Sequence, residues 1–244
     1  MILSVSRRFV FIKGVKVAGT SLEIALAGVC GDRDIITPLV PRDEAARCRV
    51  GRGCQNFGYS PQDEQAYRDE VLADYRAASF PLSMFYNHMP YAEVEAKTNV
   101  PLDDCRYVAA ERHPYAKILS LISYERHSRR YLRGETIVQD LTRLRAMVEL
   151  ALHQQTALRV FNLPSYLSGS GRLPDTVIRY ERLEEDYAAF VASLGVASPP
   201  PLPHAKQSVM ANTLDWKSIF TRRQLDAINT LFEAEFALYG YERL

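Results

Sequence analysis

Phe9-Val10-Phe11-Ile12-Lys13-Gly14-Val15-Lys16-Val17-Ala18-Gly19-Thr20-Ser21-Leu22-Glu23-Ile24-Ala25-Leu26-Ala27 is the stretch on which the fold turns. The apolar run Arg8 to Ile12 predicts a short strand, and Lys13 to Gly19 a loop of small residues. Thr20 to Ala27 predicts a helix with Thr20 or Ser21 near its N-cap. Thr20 and Glu23 also have the spacing of a capping box. Strand, glycine loop and helix in that order open a βαβ unit.

The pattern repeats downstream. Leu82 to Tyr86 reads as a strand ending at Asn87-His88, followed by a short helix over Tyr91 to Lys97. Asp104 to Glu111 is a buried strand with Tyr-Val-Ala-Ala at its heart, ending in Arg112-His113-Pro114. A long helix then runs from Tyr115 to about Tyr131, with Pro114 suited to its first turn. Helices are also expected over Asp63 to Ala78, Ile137 to Gln155, Leu183 to Leu194 and Thr221 to Phe236, and a strand over Thr176 to Arg179. The expected fold is α/β and P-loop-like: three layers, a central parallel sheet with helices on both faces. No linker or repeat interrupts the chain, so residues 1–244 are expected to form a single domain.

Composition narrows the function classes. The 244 residues are 47% hydrophobic and 24% charged, ordinary globular usage. Thirty Lys and Arg against 29 Asp and Glu leave a formal charge of +1. No global field exists to gather nucleic acid, and any anion site must be local. No apolar run approaches the roughly 20 residues of a membrane span. The start shows no leader pattern, and the core is expected to begin almost at Met1, leaving no room for an anchor. Four cysteines, Cys30, Cys48, Cys54 and Cys105, fit neither paired CxxC nor zinc spacing. They read as reduced thiols, which points to a cytoplasmic setting; a Cys48–Cys54 disulfide is the alternative.

Three sets of residues carry candidate chemistry. Gly14 to Ser21 spaces its glycines as G-x4-G-T-S, so backbone N–H groups and a helix N-terminus can close on a phosphate. Thr20 stands where a nucleoside-triphosphate P-loop needs lysine; the lysine is Lys16, inside the loop, which suits a shorter anion. The alternative is a helix that merely follows a glycine turn. Arg112 follows a predicted central strand, where open sheets bind ligands. It can fork onto a phosphate, with Ser120 two turns along the next helix donating too. Otherwise Arg112 is a helix-start arginine paired with Glu111 or a surface carboxylate. His88 has the chemistry to take a proton near neutral pH, or is structural. No His, Cys or carboxylate set has metal-ligand spacing, so no metal is expected.

Taken together and in order, these motifs resemble the PAPS-dependent sulfotransferases, in particular the bacterial and carbohydrate O-sulfotransferase branch. Phe11 to Leu22 is similar to that family's 5′-phosphosulfate loop, hhhxhPKTGGTSL. Arg112-His113-Pro114-Tyr115 through Ser120 is similar to its 3′-phosphate motif, R-[DH]-P-[YF]-x4-S. Asn87-His88-Met89-Pro90 resembles its short histidine motif, and Val177 to Leu183 and Phe236 to Tyr241 resemble less specific stretches. The chain departs at Val15 for Pro, Val17 for Thr, Ala18 for the first Gly of the pair and Lys206 for Asn in a late His-x-Asn-x-Ser.

The resemblance implies transfer of a sulfuryl group from 3′-phosphoadenosine 5′-phosphosulfate (PAPS) to a hydroxyl or amine, releasing 3′,5′-ADP. Lys16 and the amides of Ala18, Gly19, Thr20 and Ser21 would hold the 5′ end, Arg112 and Ser120 the 3′-phosphate. Lys206 would contribute charge, and His88 would be the base, with Glu93 or Glu111 as fallback. Lys13 would be a solvated charge at the loop rim, or would exchange roles with Lys16. The acceptor would be a small molecule or glycan, chosen by loops such as 42–62 and 196–220. A P-loop kinase and a non-catalytic nucleotide-binding module are the rival readings.

Overall fold

The computed structural model describes residues 1–58, 60–131, 141–203 and 216–244. Strands are β1 Ile2–Ser4, β2 Phe9–Ile12, β3 Ile35–Ile36, β4 Arg106–Glu111 and β5 Thr176–Arg179. Helices are α1 Gly19–Ala27, α2 Pro41–Val50, α3 Pro61–Asp74, α4 Tyr91–Lys97, α5 Pro114–Tyr131, α6 Leu141–His153, α7 Leu163–Tyr166, α8 Leu183–Ser193, α9 Trp216–Ile219, α10 Arg222–Leu231 and α11 Glu233–Tyr239. The expected helix start at residue 137, together with His204, Lys206 and much of the late acceptor loop, lies outside the described residues.

Two compact units divide the chain: Met1–Gly14, Ala18–Glu111 and Pro164–Lys206 form one; Val15–Val17, Arg112–Leu163 and Gln207–Leu244 form the other. The first holds a five-stranded sheet of order β3-β1-β2-β4-β5. Its α/β character agrees with the sequence. Its centre is parallel: β2 runs beside β4 with Phe9 opposite Arg106, and β4 beside β5 with Val108 opposite Thr176. Strand β4 is buried through Tyr107 to Glu111, as a strand covered on both faces should be.

The sheet is mixed, because β1 pairs antiparallel with β2 and with β3. This edge was not expected. Strand β1 has three residues, too few for a periodic signal, and it turns into β2 through Arg8 at φ 54°. Residues 82–86 form no strand. The amides of Met84 and Phe85 both donate to one carbonyl, Phe57 O, instead of a ladder, and Leu82 is 84% exposed. Helix α2 is polar along most of its length, so no apolar stripe announces it; Pro41 starts it.

In the second unit, Tyr115, Ile118, Leu119 and Ile122 of α5 pack with Leu144 and Val148 of α6 and with Ile228 and Phe236 of the last helices. The final helix breaks in two. Phe232 is fully buried at φ −107°, which ends α10 and starts α11. Thr221 and Gln224 form a capping box at the start of α10. All four cysteines are free.

Glu44 organises the segment after β3. Its carboxylate pairs with Arg47 and accepts the amides of Leu39 and Cys54, each at 2.8 Å, with every partner buried. Arg47 also donates to Thr37 O at 2.8 Å. Removing one partner of a buried pair strands the other's charge, at about 3–5 kcal/mol. Glu44→Gln is expected to lower the unfolding free energy by that amount in urea titration. A loss under about 1 kcal/mol would contradict this account of the pair.

Candidate functional site

The loop after β2 is shaped by backbone of the wrong hand. Lys16 has φ 65° and Ala18 φ 62°. For residues with a Cβ this left-handed region costs about 1–2 kcal/mol each. Such backbone curls successive N–H groups toward a concave side. Helix α1 then begins at Gly19 with Ala18 as N-cap, no side-chain cap and no acidic residue in its first turn. Leu22 N–H returns to Ala18 O at 3.2 Å. The expected capping box is absent, because Thr20 lies inside the helix and the Glu23 carboxylate is engaged elsewhere.

Glycine is required at position 19. A Cβ built there would lie 2.6 Å from Lys13 Cγ, since the lysine stem crosses that spot. Lys13 is not at the rim: it is 5% exposed, its Nζ stands 2.7 Å from Glu23 Oε2, and it donates to Asn87 Oδ1 at 3.2 Å. Glu23 also takes the Met1 ammonium, which donates to Thr37 Oγ1 at 2.7 Å. Burial pushes the Glu23 carboxyl up, but Lys13, the Met1 ammonium and Arg47 together hold it down at about 2. It is a permanent anion beneath the loop.

His88 belongs to the same unit. Its Nδ1 is 3.1 Å from Lys13 O. A carbonyl only accepts, so Nδ1 carries the proton and Nε2 the lone pair. Burial, and then the Lys13 ammonium, lowers His88 to about 4, leaving the ring neutral at physiological pH. The fallback bases differ: Glu111 is fully buried at the end of β4, and Glu93 accepts the Tyr86 hydroxyl at 2.7 Å.

In the second unit, Lys16 Nζ sits 4.3 Å above the Tyr124 ring of α5. Val15 N–H donates to Asn162 Oδ1 at 2.7 Å, and Asn162 Nδ2 donates back to Val15 O at 3.2 Å. Arg112, 4% exposed, follows the last residue of β4, and Ser120 is buried on α5. His113 is held in an aromatic nest of Tyr115, Phe236 and Tyr241, with Nε2 3.1 Å from Glu242 O. Asn162, Glu235 and Lys117 were missed by sequence reading, and no local signal marks them. Among the described residues no group of three or more His, Cys, Asp or Glu is arranged for a metal, and no helix is long and apolar enough to cross a membrane.

No profile of a known protein family matches the chain, and no curated protein does. Among solved structures the chain is similar to a sulfotransferase from Alicyclobacillus acidocaldarius, at 16% identity and a TM-score of 0.40, over 96% of each chain.

Two outcomes are expected. Gly19→Ala forces the Lys13 stem aside and should cost about 1–3 kcal/mol of stability, as overpacking does; an unchanged denaturation midpoint would contradict the close approach. Below pH 6.5 the unfolded chain protonates its histidine while the folded His88 stays neutral down to about 4. Protons therefore favour unfolding across that interval. Wild type should lose stability relative to His88→Gln as pH falls from 6.5 to 4. Parallel curves for the two proteins would contradict it.

Proposed function

We propose that this protein is a sulfotransferase that moves the sulfuryl group of PAPS to a hydroxyl or amine of a carbohydrate or small metabolite. The observation that carries the reading is the loop from Gly14 to Ser21: two left-handed residues lead into a helix with no side-chain cap, with Lys16 within the loop and His88 on the carbonyl of Lys13 just before it. Strain of this kind is held in place where it serves binding.

The donor's 5′ end goes to Lys16 and the amides of Ala18 to Ser21, and its 3′-phosphate to Arg112 and Ser120. Lys206 lies outside the described residues, and its contribution stays part of the proposal. In the reaction the acceptor oxygen forms a bond to sulfur as the bond from sulfur to the bridging oxygen breaks. The acceptor's proton passes to His88 Nε2, and 3′,5′-ADP leaves with the electron pair. Negative charge grows on the bridging oxygen in a loose transition state, by analogy with phosphoryl transfer. Lys16 and the helix amides meet that charge; losing one such donor costs about 10²–10³ in rate. Arg112 and Ser120 are remote from the breaking bond, and their binding energy fixes the donor's pose.

The supporting features separate this reading from its rivals. A nucleotide kinase needs the lysine that Thr20 replaces. An idle binding module has no use for a neutral histidine held on the Lys13 carbonyl. In thermal unfolding, 3′,5′-ADP is expected to raise the melting temperature far more than ATP with Mg²⁺. The reverse order would point to a kinase. Arg112→Ala is expected to weaken 3′,5′-ADP by about 10–100-fold, from the loss of a charge-assisted contact, and AMP by far less. Equal weakening of both ligands would remove Arg112 from the 3′-phosphate. His88→Ala should abolish transfer of labelled sulfuryl from PAPS while leaving 3′,5′-ADP binding within a few-fold. Unchanged turnover would place the base elsewhere.

A further inference from the structure

The side-chain amide of Asn162 holds the loop. Its Oδ1 accepts Val15 N–H at 2.7 Å, and its Nδ2 donates to Val15 O at 3.2 Å. An amide side chain presents an acceptor and a donor side by side, as a neighbouring strand would. It therefore fixes both polar groups of one residue, the residue just before Lys16. Asn162 is itself anchored. Glu235 Oε1 accepts its backbone N–H at 2.7 Å and that of Leu163 at 3.3 Å, and Glu235 Oε2 takes Lys117 Nζ at 2.5 Å. Asn162, Glu235 and Lys117 are all buried, so water does not stand in for a missing partner.

The geometry points to Asn162 as a positioning residue for sulfuryl transfer, held in place by Glu235 and Lys117; this rests on the reading of the loop as the donor's 5′ site. With Val15 clamped on both sides, the chain enters Lys16 in one direction, and the left-handed backbone there cannot relax. The clamp also consumes Val15 N–H, so that amide takes no part in holding the anion. Asn162 touches neither donor nor acceptor. It acts through the placement of Lys16, whose charge matters most when the leaving oxygen becomes negative. Its loss should therefore appear in kcat rather than in KM.

The test joins amide hydrogen exchange with kinetics. In wild type the Val15 amide should exchange far more slowly than in an unstructured peptide, although it lies in no helix or strand. Exchange at the unstructured rate overturns the clamp, and this needs no variant. In Asn162→Ala the Val15 amide should exchange at least about tenfold faster while the amides of α5 keep their protection. The same variant should lose about 10–100-fold in kcat, with KM for PAPS changed less than about threefold. A kcat within twofold of wild type, or a fall that comes with equal loss of protection along α5, overturns the positioning role. If the exchange results are as expected but wild type neither binds 3′,5′-ADP nor transfers sulfuryl groups, the clamp stands and the assigned reaction falls.

Discussion

The ion pair between Lys13 and Glu23 underlies the arrangement of the loop. Its two charges are buried, and removing either would leave the other poorly compensated. Because Glu23 sits on α1 and Lys13 just past β2, the pair fixes where the helix starts relative to the strand. The lysine stem then lies over position 19, which is why that position has no side chain. The Lys13 carbonyl in turn orients His88, and the Lys13 charge helps keep that ring neutral. The same lysine therefore reaches the helix start, position 19 and the candidate base, whose neutrality owes most to burial.

Charge is used locally throughout. A chain with net charge of +1 has no long-range attraction for an anion, so selectivity must come from a few fixed dipoles and cations. In the proposed site the start of α1 would supply dipoles and Lys16 a cation; its ammonium rests on Tyr124. The second unit contains its own buried pair, Lys117 with Glu235. There the carboxylate does more than neutralise: its other oxygen holds the chain at Asn162, whose side chain returns to Val15. Polar groups this deep define one geometry because each has a specified partner.

Much of this was legible in the sequence, and the reasons are physical. Strand β2, α1, β4 and α5 announce themselves through continuous apolar runs bounded by Gly14 and Pro114, and β5 and α4 fall where periodicity puts them. Arg112 stands where the sequence puts it, directly after β4, whereas the strand expected before His88 does not form. What stayed hidden depends on contacts between distant positions. Val15 and Asn162 are 147 residues apart, and Lys117 and Glu235 are 118 apart. Lys13 looked like a rim charge because nothing near it in sequence shows that Glu23 is drawn inward by a second cation. The apolar letters at 82–86 imitate a strand, but a strand also needs a free edge to join. Phe232 ends one helix and begins the next, a break that helix propensity does not register.

Phosphorus NMR of bound 3′,5′-ADP tests the central claim most directly, since its two phosphates give separate resonances. Binding to wild type is expected to shift both. Lys16→Ala should return the 5′ resonance toward its unbound position and leave the 3′ resonance displaced, whereas Arg112→Ala should do the opposite. Two resonances that never move on addition of the protein, or that respond identically to both substitutions, would contradict the assignment of the loop to one end of the donor and Arg112 to the other.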